Sequence, residues 1–123
     1  MDFNVFSDRQ KRVLVDLLVL GMYADGNLDM IENERAKRVL DAVQFPSESE
    51  RQYFLDASFA RARKNTETAE LTRQFIADIA KEFPTPALRR LVYNALEDSL
   101  TSDKQIAQQE CELLSVLSRE FDL

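Results

Sequence analysis

Apolar residues recur at helical spacing along most of this chain, and no stretch alternates apolar and polar residues for the length of a strand. Four stripes show the spacing: Ala36, Val39, Leu40 and Val43; Phe75, Ile76, Ile79, Ala80 and Phe83; Leu88, Leu91, Val92, Ala95 and Leu96; and Leu113, Leu114, Leu117 and Phe121. The pattern predicts an all-α fold of about six helices.

Capping residues set the expected limits of the first helix. Ser7 and Gln10 form a capping box that opens a helix over about residues 8–25, and Gly26 is suited to end it. Phe3, Val5 and Phe6 precede the cap and are expected to fold back onto the helix as a hydrophobic staple, although an exposed contact between copies is the alternative.

The later helices have similar signals. The second is predicted to open near Asp29 and to end at residues 45–46, and a capping box at residues 47–50 opens the third. The fourth is expected to start near Thr66, and Thr85 followed by Pro86 opens the fifth. Basic residues are placed in the last turn of the third helix, where cations favour the helix dipole: Arg61, Arg63 and Lys64.

Residues 13–23 are strongly apolar but include Asp16, and the stretch is shorter than the roughly 20 residues that span a membrane. We therefore expect a buried central helix, in which Gly21 allows close approach by a crossing helix. A length of 123 residues suits one domain covering residues 1–123.

Composition narrows the classes of function. The net charge of −6 disfavours a nucleic-acid partner, which normally needs a basic face, and favours a metal cation or a basic protein. The chain has no histidine, which excludes Ser–His and Cys–His nucleophilic sites, and no glycine-rich phosphate loop. We expect a protein that is not an enzyme. A hydrolase using paired carboxylates is a remote alternative.

The single cysteine, Cys111, cannot form an intrachain disulfide. The first residues carry no basic region typical of a signal peptide. Both observations favour a cytoplasmic location.

An acidic segment follows the first predicted helix. Asp25, Asn27, Asp29 and Glu32 supply four oxygen-bearing side chains between residues 24 and 32. Near the C-terminus the spacing recurs: Asp25, Leu28 and Glu32 stand at offsets 0, +3 and +7, as do Asp103, Ile106 and Glu110. The repeat predicts two related helix–turn–helix units around the central helix.

The acidic segments suggest a site for a hard divalent cation of the Ca²⁺ or Mg²⁺ class. Asp25, Asn27 and Asp29 match the start of an EF-hand loop, but Met30 and Ala36 stand where that loop needs Gly and Glu, so a regular EF-hand is excluded. A shorter site completed by Glu97, Asp98 or Asp103 is retained. The predicted metal ligands are Asp25, Asn27, Asp29, Glu32, Asp103 and Glu110.

Helix capping is the alternative role for these acids. Glu32 and Glu110 fall on the apolar stripes of their own helices, where a carboxylate must find partners. Asp29 and Glu32 form a capping box. A box at residues 102–105 would place Glu110 inside the last helix, whereas the repeat starts that helix near Ala107.

The segment Ala24-Asp25-Gly26, followed by Leu28 and Glu32, resembles the TerB-like family associated with tellurite resistance. The family pattern is a helix ending in Ala-Asp-Gly, an aliphatic residue, and a glutamate that opens the next helix. The second half of this chain departs from it, because residues 97–99 or 102–104 replace Ala-Asp-Gly.

The resemblance implies an all-helical domain built from two related halves, with an acidic surface that binds divalent cations. It also implies protein partners in bacterial stress-response complexes, including membrane-associated ones, because a related domain precedes the J-domain of a membrane-anchored co-chaperone. No enzymatic activity follows from it. The alternative function is a metal-free interaction scaffold, similar to a co-chaperone recruitment domain, in which the acids only cap helices.

Overall fold

The computed structural model describes the backbone of residues 5–25, 34–100 and 108–122, and the side chains of residues 5–22, 37–97 and 113–122. Within these ranges the chain forms helices and no strand, which confirms the predicted all-α class. The helices are α1 (Asp8–Asp25), α2 (Glu34–Ala42), α3 (Glu48–Asn65), α4 (Ala69–Ala80), α5 (Pro86–Leu100) and α6 (Gln108–Glu120).

Three of the predicted N-caps are confirmed. The Gln10 N–H donates to Ser7 Oγ at 3.1 Å while the Ser7 N–H donates to Gln10 Oε1 at 2.9 Å, which is a reciprocal capping box. Ser47 and Thr85 cap α3 and α5, each accepting from the N–H three residues ahead at 3.2 Å. These caps satisfy amides that have no partner within the helix.

The fourth helix is predicted to start near Thr66, but it starts at Ala69. Thr66 ends α3, since its N–H donates to Ala62 O at 3.0 Å and its hydroxyl to Arg63 O at 3.1 Å. Thr68 is the N-cap of α4. The second helix also ends earlier than predicted, at Ala42, and its predicted start near Asp29 lies outside the described residues.

Helix α1 occupies the centre of the molecule, as residues 13–23 predicted. It packs against every other helix. Its fully buried side chains are Leu14, Val15, Leu17, Leu18, Val19 and Leu20. The predicted stripes of the other helices face it, and their buried members are Val39, Leu40, Val43, Ile76, Ile79, Ala80, Phe83, Val92, Ala95, Leu96, Leu113, Leu114, Leu117 and Phe121.

Two pairs of helices run antiparallel. Lys11, near the start of α1, lies against the end of α2, and its Nζ donates to Ala42 O at 3.4 Å. Arg89, in the first turn of α5, lies against the end of α6, and its Nη1 donates to Phe121 O at 3.4 Å. Each pair is therefore a helical hairpin, α1 with α2 and α5 with α6.

The two hairpins meet at one end of the molecule. The rings of Phe6 and Phe83 contact edge to face, with centroids 5.6 Å apart, and Phe83 lies 6.5 Å from Phe121. Arg9 adds a salt bridge to Glu82, with Nη2 and Oε1 2.8 Å apart. We call this the Phe6 end. Since α1 and α5 both start here and pack together, both run toward the opposite end, where α1 finishes at Asp25.

Candidate functional site

Only two of the six predicted metal ligands lie in the part of the chain whose backbone the structure describes. Asp25 is the last residue of α1, and Glu110 lies in α6, but the side chains of both are outside the described part of the structure. Asn27, Asp29, Glu32 and Asp103 are outside it altogether. Their assignment as ligands or as caps therefore stays a prediction.

The helices that flank these residues are described and have the expected faces. The stripe of α2 that follows Glu32 is buried at Val39, Leu40 and Val43. The stripe of α6 that follows Glu110 is buried from Leu113 onward. Within the described side chains, which do not include the predicted ligands, no three acidic or cysteine groups lie close enough together to hold a metal ion.

A second candidate site lies near the Phe6 end, and no motif or spacing in the sequence indicates it. A groove of about 410 Å³ opens between the second turn of α1, the segment after α2 and the part of α3 from Glu50 to Arg61. Two arginines, Arg12 and Arg61, and the aromatic rings of Phe45, Tyr53 and Phe54 line it. Its volume is in the range of small ligand pockets.

The side chains that line the groove make cation–π and ring–ring contacts with one another. The Arg12 guanidinium lies 4.9 Å from the centroid of the Phe45 ring and 5.7 Å from that of Phe54. Arg61 lies 5.8 Å from the Phe54 ring, and the two phenylalanine rings are 5.5 Å apart. Cation–π contacts of this kind hold the planes of the guanidinium groups in place.

The two arginines differ in their electrostatic partners. Arg61 Nη2 donates to Asp16 Oδ1 at 2.8 Å, and the buried Ser58 hydroxyl donates to the same oxygen at 2.6 Å. Arg61 Nε is buried and makes no hydrogen bond with a described residue. Arg12 makes its ring contacts but no ion pair or hydrogen bond with any described residue. Of the two arginines that line the groove, only Arg61 is therefore paired with an acid among the described residues.

Arg61 corrects a prediction. It was placed in the last turn of α3 to interact with the helix dipole, but only Arg63 and Lys64 lie there. Arg61 sits about one turn earlier, where it faces α1 and neutralises Asp16. A signal was present in the sequence, since Asp16 interrupts an apolar stretch and needs a buried partner. Its partner lies 45 residues away, a separation that periodicity does not resolve.

Shifted pKa values occur at ion pairs outside the groove. A hydrogen bond from Arg9 lowers the pKa of Glu82 below its usual value, and Arg73 does the same to the pKa of Glu70. The pairs stabilise the charged forms of both acids. Arg9 joins the start of α1 to the segment after α4, whereas Glu70 and Arg73 both lie in α4.

No helix in the described ranges is both long and apolar enough to cross a membrane. Comparison with known proteins gives no relative, because no protein-family model, no curated protein and no solved structure matches this chain.

Proposed function

We propose that this chain is a non-enzymatic, TerB-like binding module. In this proposal the acidic segments after α1 and α5 bind a divalent cation of the Ca²⁺ or Mg²⁺ class or dock a protein partner. One observation carries the proposal: α1 and α5 start together at the Phe6 end and pack side by side. The ends of α1 and α5, which precede the two acidic segments in the chain, therefore lie on the same side of the core.

The chemistry of the predicted ligands suits a hard cation. Asp25, Asn27, Asp29 and Glu32 offer carboxylate and amide oxygens within one short segment, and Asp103 and Glu110 offer carboxylates from the other. Ca²⁺ takes six to eight oxygen ligands and tolerates irregular geometry, so two segments acting together suit it better than either alone. The antiparallel hairpins α1/α2 and α5/α6 support a common origin for the two segments.

The proposed setting is a bacterial stress response of the tellurite-resistance type, in the cytoplasm, with a protein partner that can be membrane-associated and without nucleic acid. The net charge of −6 supports a cationic ligand or a basic protein surface. The resemblance of residues 24–32 to the TerB-like pattern supports the setting.

Thermal unfolding of the metal-stripped protein tests the cation. Ca²⁺, Mg²⁺, Mn²⁺ and Zn²⁺ are added separately, and a bound ion at a hundred times its dissociation constant should stabilise the fold by about 2.7 kcal/mol, which raises Tm by several degrees. The double variant Asp25→Asn/Glu32→Gln should lose the shift. The double variant Asp56→Asn/Glu67→Gln removes the same charge at exposed positions of the described structure and should keep it.

The metal-free scaffold is the second candidate, and the same variants separate it from the first. If Asp25 and Glu32 only cap helices, the double variant is destabilised in the absence of any metal, since lost caps cost about 1 kcal/mol each. A protein whose Tm responds to no cation, and whose Asp25→Asn/Glu32→Gln variant is less stable without metal, would contradict the cation site and favour the scaffold.

A further inference from the structure

We infer that the groove near the Phe6 end is a peptide-docking site for an acidic, aromatic segment of a partner protein, in which the partner's carboxylate pairs with Arg12. The groove is distinct from the acidic segments, because Arg12 lies in the second turn of α1 and Asp25 ends that helix. The inference is independent of the proposed cation site.

The groove offers a cation to a ligand. Arg12 has no acidic partner among the described residues, whereas Arg51 pairs with Asp41 at 2.7 Å and Arg61, the other arginine of the groove, pairs with Asp16 at 2.8 Å. A guanidinium left without a counter-ion in a partly enclosed groove favours a carboxylate, which it binds through two parallel N–H donors. Phe45 and Phe54 already hold its plane, so little side-chain entropy is lost on binding.

The second arginine of the groove has an unsatisfied donor. Arg61 Nη2 donates to Asp16, but Arg61 Nε has no partner among the described residues and is shielded from water. A buried donor without an acceptor costs about the full desolvation of that group. A ligand oxygen that binds beside Arg61 would satisfy this donor only if the guanidinium turns, since Nε is buried in the free protein.

An exposed aromatic side chain borders the groove. Tyr53 is 78% exposed, which makes it the most exposed large apolar side chain among the described residues, and it borders the groove. Exposed tyrosines beside a partly buried arginine are typical of the energetic centre of protein interfaces. A planar side chain in the partner would stack on Tyr53 while its neighbouring carboxylate reaches Arg12. Glu50, also on the rim, repels a second acid and limits where the carboxylate can lie.

The test uses ¹⁵N-labelled protein and a short synthetic peptide in which aspartates flank a phenylalanine. We expect the Nε–Hε signals of Arg12 and Arg61 to move on titration. Replacing each aspartate of the peptide by asparagine should weaken binding about tenfold or more, since hydrogen bonds between charged groups are the stronger class. Replacing its phenylalanine by alanine should weaken binding as well, through the lost stacking.

Variants of the protein locate the contact. Arg12→Gln should lose about tenfold in affinity for the aspartate peptide and none for the asparagine peptide. Arg90→Gln removes the same charge from an exposed position on α5 and should bind normally. Tyr53→Ala changes a side chain that is 78% exposed, so it tests the groove even if Arg12→Gln fails to fold.

Four results would overturn the inference. They are equal affinity for the aspartate and asparagine peptides, no movement of the two arginine signals with about 1 mM peptide, unchanged binding by Tyr53→Ala, and phenylacetate binding as tightly as the peptide. Movement of the same signals on raising the protein concentration alone would assign the groove to a second copy of this chain instead. The Asp25→Asn/Glu32→Gln variant should bind the peptide normally, which keeps this test separate from that of the cation site.

Discussion

Arg61 of α3 and Asp16 of α1 form an ion pair that joins the central helix to α3, with Arg61 Nη2 and Asp16 Oδ1 2.8 Å apart. Among the described ion pairs, it is the only one between these two helices. The side chain of Asp16 is only 16% exposed, and the buried Ser58 hydroxyl donates to the same oxygen. The pair also holds one wall of the groove, because Arg61 lies over the Phe54 ring.

Asp16→Ala should destabilise the fold by about 2 kcal/mol, because it leaves the Ser58 hydroxyl and the Arg61 guanidinium without their acceptor. Urea unfolding measures the loss. Asp41→Ala breaks the more exposed pair with Arg51 and should cost less than about 1 kcal/mol. Equal losses in the two variants would mean that burial adds nothing to the Asp16 pair.

Arg89→Met should cost about 2 to 3 kcal/mol. Its guanidinium donates to three carbonyl oxygens, those of Phe83 at 2.7 Å, Ala80 at 3.2 Å and Phe121 at 3.4 Å, and an apolar side chain leaves them without this donor. The neighbouring Arg90→Met is the control, since Arg90 is exposed and its loss should stay within about 0.5 kcal/mol. Similar Tm values for the two variants would contradict the role of Arg89 at the ends of α4 and α6.

Phe6→Ala should cost about 3 to 5 kcal/mol, because the side chain is 3% exposed and meets the Phe83 ring edge to face. Val5→Ala should change stability by less than about 0.5 kcal/mol, since Val5 is 51% exposed. Sedimentation of the wild-type protein and Phe6→Ala tests the alternative of a contact between copies. A wild-type dimer that dissociates on this change would place Phe6 at an interface.

The pH dependence of stability should have a contribution from Glu82. Arg9 lowers the pKa of Glu82 in the folded protein below the ordinary 4.5, so the charged pair stabilises the fold above that pH. The contribution is lost as the pH falls below 4.5 and through the lowered pKa. Glu82→Gln should therefore lose less stability on acidification than the wild-type protein in that range, measured by urea unfolding.

Glu67→Gln is the control for that experiment, because Glu67 is exposed and makes no ion pair with a described residue. Its curve should follow that of the wild-type protein. If Glu82→Gln and Glu67→Gln have the same acid dependence, the Arg9 pair does not contribute.

The helices were predictable where a side chain satisfies its own backbone. Ser7, Ser47 and Thr85 each cap a helix at the position their spacing indicates. The start of α4 was not predictable, because Thr66 and Thr68 are equally suitable N-caps. Only the hydrogen bonds of Thr66 with the end of α3 decide between them.

The groove was not predictable from local pattern. Arg12, Phe45 and Phe54 come from three separate segments, and their contacts depend on α3 packing along α1. Nothing in the spacing of Tyr53 distinguishes it from the half-buried Phe54 next to it, although it is 78% exposed. The acidic segments differ from the groove, because the sequence itself shows their oxygen-bearing side chains. The side chains of these predicted ligands lie outside the described part of the structure.

The central position of α1 has a consequence for how the protein is made. Its apolar surface is covered by helices that all follow it in the chain, up to the buried Leu117 and Phe121 of the last segment. During synthesis α1 therefore leaves the ribosome long before its last packing partners exist. A nascent chain in this state exposes a continuous apolar segment, and transiently exposed hydrophobic surface of this kind is prone to aggregation, which is one reason that cells need chaperones.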